Sequence, residues 1–218
     1  MNKWDKKINK DIKQEKMKRE IDMTVWKCAN PPKGIQMQMF PSRFLLNLKR
    51  YYPYEDKKIL WMFSGGIDEK GDTTDIRPET GAKIIAPYDN LPIPENTYDM
   101  VIADPPYNQL FAKEWKADFP KPKRVLKEAA RITKSGGLIL ILHCLIIPEY
   151  RKEIPVERIA LHPVLCGLNN AIRVLNVYKK KKNRSGISIE EAAKATLVFG
   201  KSMKKAGAEL KGWRKGNQ

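Results

Sequence analysis

Apolar residues in this chain gather in short runs, separated by polar stretches whose own apolar positions recur at helical spacing. From residue 57 onward the runs fall at 59–63, 82–86, 100–103, 138–142 and 174–178. Runs of this length suit the buried strands of a parallel sheet. Between the third and fourth, residues 122–134 open on a proline and carry Val125, Leu126, Ala129, Ala130 and Ile132 on one face of a predicted helix. Upstream, Phe40-Pro41-Ser42-Arg43-Phe44-Leu45-Leu46-Asn47-Leu48 sets a proline before an apolar face and predicts a helix start. Ile8, Ile12, Met17, Ile21 and Val25 give residues 3–27 a looser helical period, which predicts a basic amphipathic helix. A short Ala-rich stretch near 190–196 also reads as helical. The alternation of strand-like and helix-like segments predicts an α/β fold, a doubly wound, mostly parallel sheet covered on both faces.

Charge then divides the chain. Its 218 residues hold 42 Lys+Arg against 25 Asp+Glu, a formal net charge of +17. Residues 1–20 carry eight basic and four acidic side chains, and residues 179–218 carry twelve and three, so the body between keeps only +4. The predicted organisation is a basic extension over 1–30, one folded domain over 31–178 and a basic tail over 179–218. The ends read either as solvated, solubilising segments or as an electrostatic grip on phosphates, and the second reading makes nucleic acid the expected partner. The apolar stretch 138–147 is about half of what a bilayer span needs, so no membrane contact is expected. No apolar core follows Met1, and Asp11, Glu15 and Glu20 speak against a targeting peptide, so the expected location is cytoplasmic. Cys28, Cys144 and Cys166 lie far apart with no Cys-x-x-Cys pair, which predicts reduced thiols and no metal site.

In a sheet of this kind ligands bind beyond the carboxyl ends of the strands. The first run ends in Phe63-Ser64-Gly65-Gly66, where glycine allows a ligand close to the backbone or simply a tight structural turn. Asp75 ends the next expected strand, and is either a carboxylate holding both hydroxyls of a ribose or a solvated turn aspartate. The most specific signal is Asp104-Pro105-Pro106-Tyr107. Two prolines after a strand stop the ladder and remove N–H donors, so the turn presents acceptors only. An exocyclic base amine could donate its two N–H groups to the Asp104 carboxylate and the Pro105 carbonyl, aiming its lone pair at an electrophile. Tyr107 would offer a flat face for the base, a contact worth roughly 1–3 kcal/mol. Phe111 and Trp115, interleaved with lysines, either close over the base or pack in the core. His143, ending the 138–142 run, is either a substrate contact or a structural histidine.

These residues resemble those of the class I S-adenosylmethionine-dependent amino-methyltransferases that modify adenine or cytosine in nucleic acids. The likeness covers residues of about 38–178. It implies a Rossmann-like methyltransferase fold in which Phe63, Ser64, Gly65 and Gly66 hold the methionine part of the cofactor. It implies Asp75 as the ribose ligand, Asp89 and Asn90 as the pair near the cofactor adenine, and the segment around Arg43 as the cover of the cofactor carboxylate. Asp104, Pro105, Pro106 and Tyr107 match the catalytic tetrapeptide letter for letter. Residues 131–137 are similar to the family's helix followed by a glycine-bearing turn into a strand. Two features differ. Nine positions separate Gly66 from Asp75, too few for the usual helix, so the first crossover is expected to be shortened or irregular. No insertion serves as a target-recognition domain, which leaves specificity to small loops, a second copy of the chain or a specificity partner. The expected activity is methylation of adenine N6 or cytosine N4, in DNA ahead of RNA. The alternatives are an RNA base methyltransferase and a non-catalytic accessory subunit of the same fold.

Overall fold

The computed structural model describes residues 21–28, 40–41, 43–114, 118–166 and 172–181. Most of both basic ends, Ser42, Trp115, the side chain of Phe111 and the 190–196 stretch lie outside the described residues. Eight strands, β1 (Trp26–Lys27), β2 (Ile59–Met62), β3 (Asp72–Asp75), β4 (Ile84–Ile85), β5 (Tyr98–Ala103), β6 (Thr133–His143), β7 (Val156–Leu165) and β8 (Arg173–Lys180), form one sheet. Their spatial order is β1-β7-β8-β6-β5-β2-β3-β4. Among the described residues, only β8 runs antiparallel to its neighbours, β6 and β7. The other pairings are parallel. Helices α1 (Phe44–Tyr51), α2 (Gln109–Glu114) and α3 (Pro122–Ile132) complete the regular elements among the described residues.

Period-two alternation along the strands sends successive side chains to opposite faces. Leu60, Met62, Val101, Ala103, Ile139 and Ile141 face α3, which buries Val125, Leu126, Ala129 and Ile132 against them. Ile59, Trp61, Met100, Ile102, Leu140 and Leu142 face the other way, where α1 buries Phe44 and Leu48. The sheet is thus mostly parallel and covered on both faces, as the apolar runs imply. Runs 100–103, 138–142 and 174–178 fall within strands, 59–63 passes the end of β2 by one residue, and of 82–86 only Ile84 and Ile85 are in a strand. Among the described residues, no helix is long and apolar enough to cross a membrane.

One expected element is corrected. The amphipathic helix over 3–27 does not extend through its last residues, because residues 22–28 run along β7 as an edge segment. Asp22 bridges Ala160, Trp26 pairs with Val164, and the Cys28 N–H donates to the Leu165 carbonyl at 2.8 Å. Trp26 is buried there, stacked on His162 at 4.9 Å between ring centroids. The aromatic side chain that a helical reading leaves unused is what anchors this strand.

The crossovers on the β2-β3-β4 side contain no α-helix. Residues 63–71 connect β2 to β3 as a loop, and residues 76–83 hold only the short 3₁₀ turn Pro78–Thr80. The first loop is pinned to the sheet by side chains. Trp61 Nε1 donates to the Lys70 carbonyl at 3.0 Å, and the Tyr54 hydroxyl donates to Glu69 at 3.2 Å. Gly71 closes it at φ +133°, where an added Cβ would lie 3.0 Å from the Ile59 carbonyl oxygen. Between β4 and β5, Leu91 and Ile93 bury their side chains under α3. Their backbone has no helix partners, and α3 supplies them. Glu128 accepts from the Leu91 N–H at 2.9 Å, while Arg131 donates to the carbonyls of Leu91 and Ile93 at 3.1 and 2.7 Å and pairs with Glu128 at 2.7 Å. Buried backbone groups need such partners, so this charge pair does the work of the missing helix.

Arg131→Ala removes three of these contacts and leaves Glu128 buried without its cation. The expected loss is about 1–3 kcal/mol, read as a lower thermal midpoint, whereas an exposed control such as Lys127→Ala should stay within about 0.5 kcal/mol.

Candidate active site

The strand order reverses between β2 and β5, and their parallel register sets Met62 opposite Ala103. The turns after the two strands therefore come together at one edge of the sheet. After β2, Phe63 and Gly65 both take left-handed backbone, φ 56° and 51°. Ile67 N–H donates back to the Ser64 carbonyl at 3.1 Å, which closes the turn, and Ser64 N–H donates to the Thr74 carbonyl at 3.1 Å. Phe63 lies against Tyr88, 5.5 Å between ring centroids, so the loop after β4 reaches the loop after β2. Asp89 in that loop pairs with Arg124 of α3 at 3.0 Å, and Asn90 is exposed beside it. Arg43 stands exposed at the start of α1 with φ 67°. The aromatic residues flanking it, Phe40 and Phe44, stack at 4.8 Å, and Phe40 meets Trp61 of β2 edge-on.

Asp75 ends β3, and its carboxylate is the structural hub of this half. Oδ2 accepts from the Gly65 N–H at 3.1 Å and from Arg77 at 3.2 Å, while Oδ1 accepts from the Arg77 backbone N–H and from Arg77 Nε at 3.1 and 3.0 Å. A carboxylate has about four acceptor positions, so these contacts fill it. A ribose could use Asp75 only by replacing the Arg77 side chain. The residues otherwise suit a nucleoside cofactor: a carboxylate at a strand end, an open approach at Gly66 where an added Cβ meets nothing within 4 Å, and a flat ring at Tyr88.

The tetrapeptide after β5 makes a second cluster. Pro105 and Pro106 are buried, and the Tyr107 hydroxyl donates to Asp104 Oδ1. Burial pushes the Asp104 carboxyl up to about 6, against the opposing pull of the Tyr107 hydrogen bond and the Arg173 charge. Burial and the Asp104 charge hold the Tyr107 hydroxyl well above its usual range, so it stays a donor. Arg173, the first residue of β8, lies over the Tyr107 ring at 5.0 Å. His143 meets the same ring edge-on at 5.6 Å. It is buried and kept neutral by that burial. Its Nδ1 accepts the Leu145 N–H at 3.0 Å, so the proton sits on Nε2, which has no partner among the described residues.

Asp104, Tyr107 and His143, each expected at the ligand edge, are thus brought together, as are Phe63, Ser64, Gly65 and Asp75. Phe111 is placed only by its backbone in α2, and Trp115 lies outside the described residues. Sequence pattern alone does not single out two residues of the site. Arg77 stands two positions past Asp75, a spacing that offers some hint of the pair. Arg173 is distant in sequence and belongs to no motif; the antiparallel direction of β8, which carries its first residue to this edge, is what exposes it.

An acid whose carboxyl is pushed from 3.8 in the unfolded chain to about 6 in the fold binds more protons when folded between those values. Its contribution to stability is therefore lost as pH rises from about 4 to 6. Asp104→Asn escapes that loss, so its thermal midpoint relative to the native chain should rise between pH 4.5 and pH 7.5. An unchanged difference across that range would show that the carboxyl titrates normally.

No family model and no curated protein matches this chain. Solved structures do. A chain from the complex of the Haloferax volcanii Trm112 methyltransferase activator with a candidate methyltransferase is 13% identical, covering 64% of this chain and 89% of that one, with a TM-score of 0.47. TrmN from Thermus thermophilus is 14% identical over 67% of this chain and 51% of its own, with a TM-score of 0.49. A SAM-dependent methyltransferase from Methanosarcina mazei is 14% identical over 66% of this chain and 99% of its own, with a TM-score of 0.45.

Proposed function

We propose that this protein transfers the methyl group of S-adenosylmethionine to an exocyclic amino nitrogen of a nucleic-acid base, adenine N6 or cytosine N4, with DNA ahead of RNA as the polymer. The observation that carries the reading is the adjacency of Asp104-Pro105-Pro106-Tyr107 to Phe63-Ser64-Gly65-Gly66 across the β2–β5 pairing. The bound cofactor supplies an electrophilic methyl group. Gly65 and Gly66 let it approach the backbone, and Asp75, Asp89 and Asn90 face its nucleoside. Asp104 Oδ2 and the Pro105 carbonyl accept the two N–H groups of the target amine, and Tyr107 supports the base. Alignment of the two reactants is the main task, since positioning alone can contribute roughly 7–11 kcal/mol. The basic ends hold the polymer through its phosphates.

One observation favours a second reading, a nucleic-acid-binding accessory subunit of this fold. The Asp75 carboxylate is already filled by Gly65 and Arg77, which suits a site that no longer takes a ribose.

Tritiated S-adenosylmethionine offered with duplex DNA, single-stranded DNA, RNA and protein separates the readings. Label is expected in DNA and should fall about a hundredfold or more with Asp104→Ala. Label in RNA alone would move the substrate to that polymer, label in protein alone would overturn the nucleic-acid reading, and cofactor binding without transfer would favour the accessory subunit. Calorimetry then checks the ribose site. Arg77→Ala should tighten cofactor binding by about fivefold, roughly 1 kcal/mol, because Asp75 no longer has to release a guanidinium. Unchanged affinity with both Arg77→Ala and Asp75→Asn would make that ion pair purely structural.

A further inference from the structure

The proposed chemistry asks something definite of Asp104. To accept an amine N–H it must be a carboxylate, because a protonated carboxyl turns a donor toward the amine. Yet Asp104 sits at the foot of a buried strand, beside two buried prolines and the Tyr107 ring. Desolvation of this kind opposes ionisation, and a compensating charge is needed.

The groups around Asp104 can be taken element by element. From its own turn comes Tyr107, whose hydroxyl donates to Oδ1 and stays protonated. From β6 comes His143, edge-on to the Tyr107 ring and neutral through burial. From the end of β7 comes Cys166, whose thiol burial holds above its usual range. β2 contributes the Met62 carbonyl, which accepts the Asp104 N–H at 3.4 Å. From β8 comes Arg173. Of these neighbours, Arg173 alone carries a charge near neutral pH.

The sheet fixes where its backbone stands. Arg173 pairs in register with Val164 of β7, and the next residue, Val174, pairs with His143 of β6. The guanidinium lies 5.0 Å from the centre of the Tyr107 ring, the ring whose hydroxyl holds Asp104. A cation over an aromatic face is attractive and limits the ring's freedom.

Resting on the methyl-transfer reading above, we propose that Arg173 is a positioning residue: lying over the Tyr107 ring whose hydroxyl donates to Asp104, it holds the Asp104 carboxylate in its anionic form and keeps the Tyr107 hydroxyl on Oδ1, leaving Oδ2 for the target amine. Arginine suits the place better than lysine because its planar head stacks and remains charged when desolvated.

The test follows the Asp104 carboxyl itself by carbon-13 NMR titration of the full chain, assigned by the signal that Asp104→Asn removes. In the native protein it should titrate near 6. In Arg173→Gln the midpoint should rise by about one unit, the effect expected for removing a close opposite charge. Arg173→Lys keeps the charge without the planar stack, should fall between the two, and serves also if the glutamine variant does not fold. With nucleic-acid substrate, the acid limb of kcat/KM should move upward with the same midpoint, while cofactor affinity stays unchanged. An Asp104 titration that ignores both substitutions overturns the proposal even if methyl transfer is real. A native protein that transfers no methyl group, yet whose Asp104 midpoint follows Arg173, overturns the functional reading and leaves the electrostatic pairing standing.

Discussion

The parallel pairing of β2 with β5 decides most of what this chain can do. It is the place where strand order turns from one direction to the other, so the segments leaving the two strands diverge and leave a crevice between them. Ile59, Leu60, Trp61 and Met62 are buried on both faces and pair residue by residue with Met100, Val101, Ile102 and Ala103. A slip of one residue would turn Trp61 and Met62 to the wrong cores. That penalty fixes the register, and the register fixes how the loop at Gly65 stands to the turn at Asp104.

Around this fixed pair the molecule economises on helices. On the β2-β3-β4 side, connections of ordinary loop length replace helical crossovers, and polar side chains from the sheet and from α3 take over the backbone partners a helix would have provided. Asp72 and Asp75 illustrate the two ends of the same short strand. Asp72 accepts from the Tyr98 hydroxyl at 3.0 Å, tying β3 back to β5, while Asp75 ties it forward to the loop after β2. Charge is used here as a fastening, alongside the apolar core that β2, Leu91 and Ile93 supply.

Legibility in the sequence divides along the same line. Strand segments buried on both faces, such as β2 and residues 100–103 of β5, announce themselves because every position is apolar. β3 does not: Asp72-Thr73-Thr74-Asp75 contains no apolar residue, and only its last position can be inferred, from chemistry rather than pattern. β7 is broken by Glu157, Arg158, His162 and Pro163 and gives no clear period. The Asp104 turn is readable because its restraint is local, two prolines in sequence. Arg173 is not, since its role depends on strand direction and on a pairing between residues far apart in the chain. Trp26 deceives for a related reason, its burial being a property of β7 and His162 rather than of its own neighbours.

The edge formed by residues 22–28 bears on how the ends of the chain are to be regarded. β7 is ten residues long, and without β1 beside it the strand would present a row of unpaired backbone donors and acceptors at the sheet margin. Long open edges of that sort invite pairing with other chains. Both actual margins, β1 and β4, are strands of two residues. The segment that composition assigns to a basic extension therefore ends in a shield, and without residues 22–28 the margin of the sheet would be the open edge of β7.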